Sequence, residues 1–506
     1  MHNAASRSPQ RVNARASLLR NIAGNWIGVG ADAVTGVVLT RIILHAVGDA
    51  PFGLWVLVSG LLGYYGLLDL GTRNGVIRYV ARHNARGDFE SLSSVVSTAV
   101  SGYVVIGLAV LVLTVMAAWQ LDHLFTFHSA ADLAAGRLLI LILGTGAAIG
   151  FPLSAFGGAL EGLQQFVRIG VVQATASVAR AIMVVIALRL GYGIVAVGVI
   201  TVACNVAAGI ANAAYVVRRF PEVRIALSGV RRDTFATLAG FGVVTFWVAV
   251  SNRLRFESDS LVIGRMIGLE MVAVFAIGSK ILSYGTEVVA AMAGVFTPAL
   301  SHADALGDHD MVTRMTLTGN HLASLLAFPM TVVLFFFGKV LIALWVGARY
   351  ELAYMVLLII GVPMAVYMSQ FGSTRMLYGV GRHKALAKIL FFEGAANLVL
   401  SIVLARRFGI LGVAWGTAIP LALTAFVILP WVSCQSLGSS LASYWAAAQL
   451  PALVTVAPLI ALFGAMAMLR RNAGPVEAMA QLMVGAVLYA ALVFRRFQKP
   501  PAAFAH

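Results

Sequence analysis

The chain is 506 residues long, 60% hydrophobic and only 11% charged, with a mean hydropathy of +0.90. Soluble domains are about 45–50% apolar and about 25% charged, so a water-soluble globular protein is excluded, as is a disordered or collagen-like chain. The formal charge of +16 does not call for nucleic acid as a partner, because basic residues gather in the cytoplasmic loops of membrane proteins. Cys204 and Cys434 are far apart, which leaves no disulfide framework and no CxxC metal site.

A bilayer core of about 30 Å needs about 20 apolar residues of helix. Such runs occur near 19–44, 51–72, 92–118, 136–160, 170–190, 193–217 and 236–258. They continue near 268–299, 315–338, 351–373, 385–405, 408–433, 445–469 and 475–494. The expectation is an all-α integral membrane protein of about fourteen transmembrane helices. The polar, basic residues before the first run lead into a stretch too long and too polar for a cleaved signal peptide. With the N-terminus inside, Arg and Lys favour the cytoplasmic segments by about two to one, which predicts both termini in the cytoplasm. Arg406–Arg407 and Arg470–Arg471 run against that bias.

A shift of 220 aligns the second and eighth runs without a gap, laying Gly48, Gly87 and Asp88 on Gly268, Gly307 and Asp308. A shift of 218 lays Arg189 to Gly198 on Arg407 to Gly416, matching Arg, Gly, Val, Ala and Gly. Both shifts join runs six apart. The division this implies is a six-helix lobe over 1–225, a second over 226–435, and a further helix pair with a tail over 436–506. Two pseudo-symmetric lobes around a central cavity form an architecture that alternates access by rocking.

The segment from Val47 to Ala81, VGDAPFGLWVLVSGLLGYYGLLDLGTRNGVIRYVA, resembles the opening helices of bacterial oligosaccharide flippases. These are the Wzx-type polysaccharide transport members of the superfamily that also holds the MATE exporters and lipid II flippases. Phe408 to Ile419 is similar to the family's twelfth helix, and Asp259 to its acidic residue late in the seventh; Phe275 departs from a frequent Tyr. The resemblance implies movement of an undecaprenyl-pyrophosphate-linked glycan from the inner to the outer leaflet of the cytoplasmic membrane, without a cofactor. It also implies membrane lipids and polysaccharide polymerase machinery as partners, while a single pseudo-symmetric chain suits a monomer. Two alternatives stay open. A cation-coupled multidrug antiporter of the same broad fold would have a smaller, more aromatic and acidic pocket, twelve rather than fourteen spans, and free amphiphilic cations as cargo. A membrane-embedded glycan polymerase or ligase would need a large outer loop, and none is available in this sequence.

A charge at mid-bilayer costs at least about 2.5–3.5 kcal/mol, so it faces protein or a wet cavity. In the first run Asn21, Asn25, Gly28, Asp32 and Thr35 recur at helical spacing. They suit either a cavity face, with Asp32 taking up a proton or meeting sugar hydroxyls, or helix-to-helix packing. The seventh run carries Asn252, Arg253, Arg255, Glu257 and Asp259. Arg253 and Glu257 are placed to pair with each other, and the Arg255 fork to grip phosphate. Arg180, Lys280, Glu287 and Glu393 are further charges within runs, and Arg73 follows Asp69 where an anionic headgroup is to be expected. The candidate substrate-binding residues are therefore Asn25, Asp32, Arg73, Arg180, Asn252, Arg255 and Lys280. The candidate ion-coupling residues are Asp32, Glu257, Asp259, Glu287 and Glu393. No HExxH pattern or Walker loop is present, so no catalytic or metal residue is proposed.

Overall fold

Apolar residues that a water-soluble fold would hide lie on the outside of the helices. Val105, Leu108, Val112 and Val115 are 54–67% exposed on one helix, the pattern of a surface solvated by hydrocarbon. In the computed structural model of the chain, residues 30–127, 129–226, 229–469 and 474–497 are described. Asn21 and Asn25 lie outside them, so the first run's polar face is followed here only from Asp32 onward.

The chain divides into two compact units, Met1–Ala249 and Val250–His506. The first holds α1 (Gly30–Val47), α2 (Asp49–Gly63) with a 3-10 turn to Asp69, α3 (Thr72–Ala85), α4 (Phe89–Trp119) and a single turn α5 (Leu121–Leu124). α6 (Ala130–Gly162), α7 (Phe166–Arg189) and α8 (Ile194–Arg219) follow, and α9 (Arg232–Phe256) spans the division. The second unit continues with α10 (Ser258–Met266), α11 (Leu269–Gly294), α12 (Phe296–Ala305), α13 (His309–Trp345), α14 (Glu351–Met368) and α15 (Phe371–Gly379). It ends with α16 (His383–Leu423), α17 (Leu429–Leu437), α18 (Leu441–Ala448), α19 (Leu450–Leu469) and α20 (Pro475–Phe497). No strand occurs among the described residues.

Among the described residues, twelve helical stretches are long and apolar enough to cross a membrane, against about fourteen expected. One of them, His383–Leu437, is 55 residues and would extend about 80 Å, far beyond a single crossing. Gly409 breaks it with φ 56° and ψ −137°, a conformation that a side chain resists. The eleventh and twelfth expected runs are thus the two arms of one kinked rod. The seventh expected run lies on α9, which the twelve do not include.

The 220-residue repeat has a physical basis in its Gly-Asp pair. Gly87 (φ 66°) and Gly307 (φ 70°) end α3 and α12 in left-handed turns. The amides of Asp88 and Asp308 then return to the carbonyls of His83 and Ala303, each at 3.0 Å. Asp88 and Asp308 in turn cap the next helix, accepting from the amides of Ser91 (3.0 Å) and Met311 (2.8 Å). The Ser91 hydrogen bonds hold the Asp88 carboxyl below the usual carboxylate range.

The segment joining the repeats is bonded to α4, which is why the first unit runs past residue 225. Ser93 accepts from the Arg224 amide (3.0 Å), Ser97 from Ala226 (3.2 Å) and Thr98 from Arg231 (3.2 Å), while Ser94 donates to the Gly229 carbonyl (2.8 Å). In the second unit, Tyr444 anchors the appended helices. Its buried hydroxyl donates to Gln370 (3.1 Å) and meets Ser373 (2.8 Å) and Asn320 (3.0 Å). Beside that cluster a Cβ on Gly372 would lie 2.6 Å from the backbone of both Asn320 and Thr316. Gly372→Ala is expected to destabilise the protein by about 1–3 kcal/mol, read as a lower unfolding midpoint in detergent. An unchanged midpoint would disprove the tight approach.

Candidate functional site

Each unit places one charge of its leading helix against an opposite charge roughly 140 positions later. In the first unit Asp32 of α1 meets α7: Gln173 donates to its Oδ2 (2.8 Å), Arg180 to its Oδ1 (3.2 Å), and Ser177 also to Oδ1. Asp32 and Arg180, expected separately as candidates, are therefore one cluster. Their side chains are 38% and 20% exposed, so water screens the pair. A double-mutant cycle with Asp32→Asn and Arg180→Gln is expected to give a coupling of about 1 kcal/mol that shrinks with added salt. Zero coupling at low salt would mean that the contact contributes nothing.

Arg73 lies apart from that cluster, at the end of the second span. It donates to Glu161 Oε1 (2.6 Å) and to the Ser154 carbonyl (3.2 Å) of α6. Asp69 one turn earlier accepts from Thr72 (2.8 Å) and from Tyr103. Leu70 (φ 49°) and Gly71 (φ 72°) bend the chain between the two residues. Arg73 thus holds a helix junction through a carboxylate of this chain.

The second unit encloses a cavity of about 250 Å³ lined by Arg255, Phe256, Asp259, Phe275, Ser279, Ser283, Thr286, Glu287, Glu393, Asn397 and Thr417, among others. Arg255 Nε donates to Glu393 Oε1 at 2.5 Å, with both side chains under 5% exposed. Its Nη1 donates to the Tyr367 hydroxyl (3.2 Å), and the guanidinium stacks 4.6 Å from the Tyr367 ring. A buried pair of this kind needs such closure on every side, because removing two charges from water is expensive. Closure is incomplete at two atoms: Arg255 Nη2 and Glu393 Oε2 are buried without a hydrogen-bond partner. Two of the three Arg255 nitrogens are thus engaged by Glu393 and Tyr367.

One turn further on, Asp259 is 2% exposed. It accepts from Thr417 at Oδ2 (2.7 Å) and from Ser401 at Oδ1 (3.2 Å), and Ser401 also donates to Asn397 (2.9 Å). Its hydrogen-bond partners among the described residues are all uncharged. Arg253 and Glu257 pair at 2.9 Å as their spacing predicts. Asn252 is exposed and lines no part of the cavity; Lys280 is exposed and sits 5.0 Å from the Tyr284 ring; Glu287 lies at the rim. Tyr367, Asn397, Ser401 and Thr417 were not among the expected site residues. The faint signal for them is polar i, i+4 spacing, Asn397 with Ser401, inside an apolar run.

A family model described as polysaccharide biosynthesis protein matches residues 16–303, more than half of the chain. The chain belongs to that family. A putative O-antigen transporter of Shigella flexneri is 24% identical over 443 residues, covering 82% of this chain and 97% of the relative. Among solved structures, the lipid II flippase MurJ in an inward closed conformation aligns with a TM-score of 0.72 at 13% identity, over 93% of this chain and 98% of that one. An inward-facing multidrug resistance MATE transporter of the MOP superfamily aligns with a TM-score of 0.71 at 17% identity, over 82% and 94%. This polysaccharide biosynthesis family member thus has the MurJ and MATE fold, in agreement with the flippase resemblance of its sequence.

Proposed function

We propose that the protein flips an undecaprenyl-pyrophosphate-linked oligosaccharide from the inner to the outer leaflet of the bacterial cytoplasmic membrane, by alternating access, for surface polysaccharide biosynthesis. The observation that carries this reading is the match to an O-antigen transporter over nearly its whole length, joined to the fold of a lipid-linked-precursor flippase.

The chemistry of the second unit's cavity supports the reading. A neutralised Arg255–Glu393 pair lies beside the Ser279, Ser283 and Thr286 hydroxyls and the Phe256 and Phe275 rings. Adjacent donors and acceptors against an aromatic wall suit sugar hydroxyls better than a pyrophosphate, which needs uncompensated cations. Asp259 is the coupling residue in this scheme. Alone among the candidate coupling carboxylates described here, it is fully buried and bonded only to neutral groups. Taking up a proton or a hard cation on its oxygens removes the desolvation penalty that an ionised Asp259 carries. Asp32, Glu257 and Glu393 each have a cation in contact, so their protonation also breaks an ion pair.

Depletion of the protein in its native cell tests the function. The expected result is loss of one surface polysaccharide, with its completed lipid-linked unit accumulating on the cytoplasmic face. Unchanged surface glycan with new sensitivity to cationic drugs would overturn the reading in favour of a multidrug antiporter.

A further inference from the structure

We propose that the outer groove between α7 and α8 of the first unit is a binding site for one anionic phospholipid, with an acyl chain along the groove and the phosphate at Arg168. The groove has a volume of about 560 Å³ and is lined by Val171, Val172, Ala176, Met183, Cys204 and Ala207 among others. Its depth comes from small side chains facing each other on two antiparallel helices. Val171 and Met183 are 45% and 41% exposed, so the groove is open along its length and not sealed within the first unit. In a membrane such an opening is filled by hydrocarbon.

Size argues for a single chain. From Arg168 to Met183 the groove runs about 22 Å at 1.5 Å per residue, which is more than half of a 30 Å bilayer core. That length matches one extended phospholipid acyl chain and is well short of an undecaprenyl tail.

Charge argues for an anionic headgroup. Arg168 sits at one end of the groove, its guanidinium 4.9 Å above the Tyr215 ring of α8. Its Nε is buried without a hydrogen-bond partner, and no carboxylate pairs with it among the described residues. Arg218 and Arg219 close α8 at the same end. Three guanidiniums there favour a headgroup of net negative charge over a zwitterion, and an Arg fork suits a phosphate oxygen pair. The arginine bias in the sequence assigns this end to the cytoplasmic leaflet.

The test is native mass spectrometry of the full-length protein released from nanodiscs of phosphatidylglycerol mixed equally with phosphatidylcholine. The wild type is expected to retain one phosphatidylglycerol in preference to phosphatidylcholine. Arg168→Gln is expected to lower that occupancy about tenfold, while Arg168→Lys keeps the preference. Ala207→Phe, which fills the groove, is expected to lose the bound phosphatidylglycerol, and Ala207→Ser to retain it in preference to phosphatidylcholine. Equal occupancy of the two lipids in the wild type would overturn the proposal, as would wild-type retention by Arg168→Gln. Displacement of phosphatidylglycerol by equimolar undecaprenyl phosphate would overturn the assignment to a phospholipid. Because Arg168→Lys and Ala207→Ser are mild changes, a folding failure of the other two variants leaves the headgroup preference testable.

Discussion

Arg255→Leu is expected to destabilise the second unit by about 3–5 kcal/mol, since it leaves the Glu393 carboxylate buried with no counter-charge. Both side chains are almost fully inaccessible, so neither water nor salt screens the loss. Glu393→Leu should be as damaging, because it strands a guanidinium whose other partners among the described residues, the Tyr367 hydroxyl and the Tyr367 and Phe256 rings, are uncharged. The double variant Arg255→Leu/Glu393→Leu separates stability from function. Replacing both partners by apolar groups removes the desolvation burden along with the attraction, so most of the lost stability should return. Unfolding midpoints in detergent measure this directly. A double variant as unstable as either single would show that the surrounding cavity, and not the pair, sets the cost. If the pair shapes a cavity that holds the glycan, the restabilised double variant should remain deficient in flipping. Full activity there would remove the pair from the proposed site.

The same pair shows where reading the sequence stops. Hydropathy located the spans, because about 20 apolar residues are a one-dimensional signal. The Gly-Asp repeat was visible because its turn is local: a left-handed glycine and a capping aspartate are neighbours in the chain. Arg253 and Glu257 were readable as partners for the same reason, one helical turn apart. The periodicity of a helix says which residues share a face but not which face of another helix it meets. Arg255 and Glu393 lie 138 positions apart, Arg180 and Asp32 148 apart. Each was legible as a charge needing a partner, and none of these pairings was. The guanidinium fork of Arg255 suits phosphate on its chemistry alone, while Glu393 and Tyr367, 138 and 112 positions away, are not visible in the sequence as its partners. Ser401 and Thr417 carry no comparable signal, since a hydroxyl in a membrane helix usually bonds its own backbone, as Thr417 also does to the Val413 carbonyl at 3.2 Å.

Asp259→Asn is expected to reduce flipping at least about tenfold under an imposed ion gradient while leaving the protein folded. The argument rests on shape and charge taken separately. Asparagine has nearly the volume of aspartate and keeps one acceptor, so at least one of the Thr417 and Ser401 contacts survives. Packing is preserved, and the burden of a buried ionised carboxylate is lifted, so the unfolding midpoint should stay level or rise. What asparagine cannot do is alternate between charged and neutral. A transporter whose conformational preference follows the charge state of Asp259 is then left in one preference, and the gradient no longer shifts its populations. Proteoliposomes with an imposed proton or sodium gradient read this as a flipping rate that no longer responds to the gradient. Asp32→Asn supplies the comparison, since Asp32 already has Arg180 in contact; its loss should weaken transport without abolishing the gradient response. A gradient response intact in Asp259→Asn and absent in Asp32→Asn would move the coupling role to the first unit.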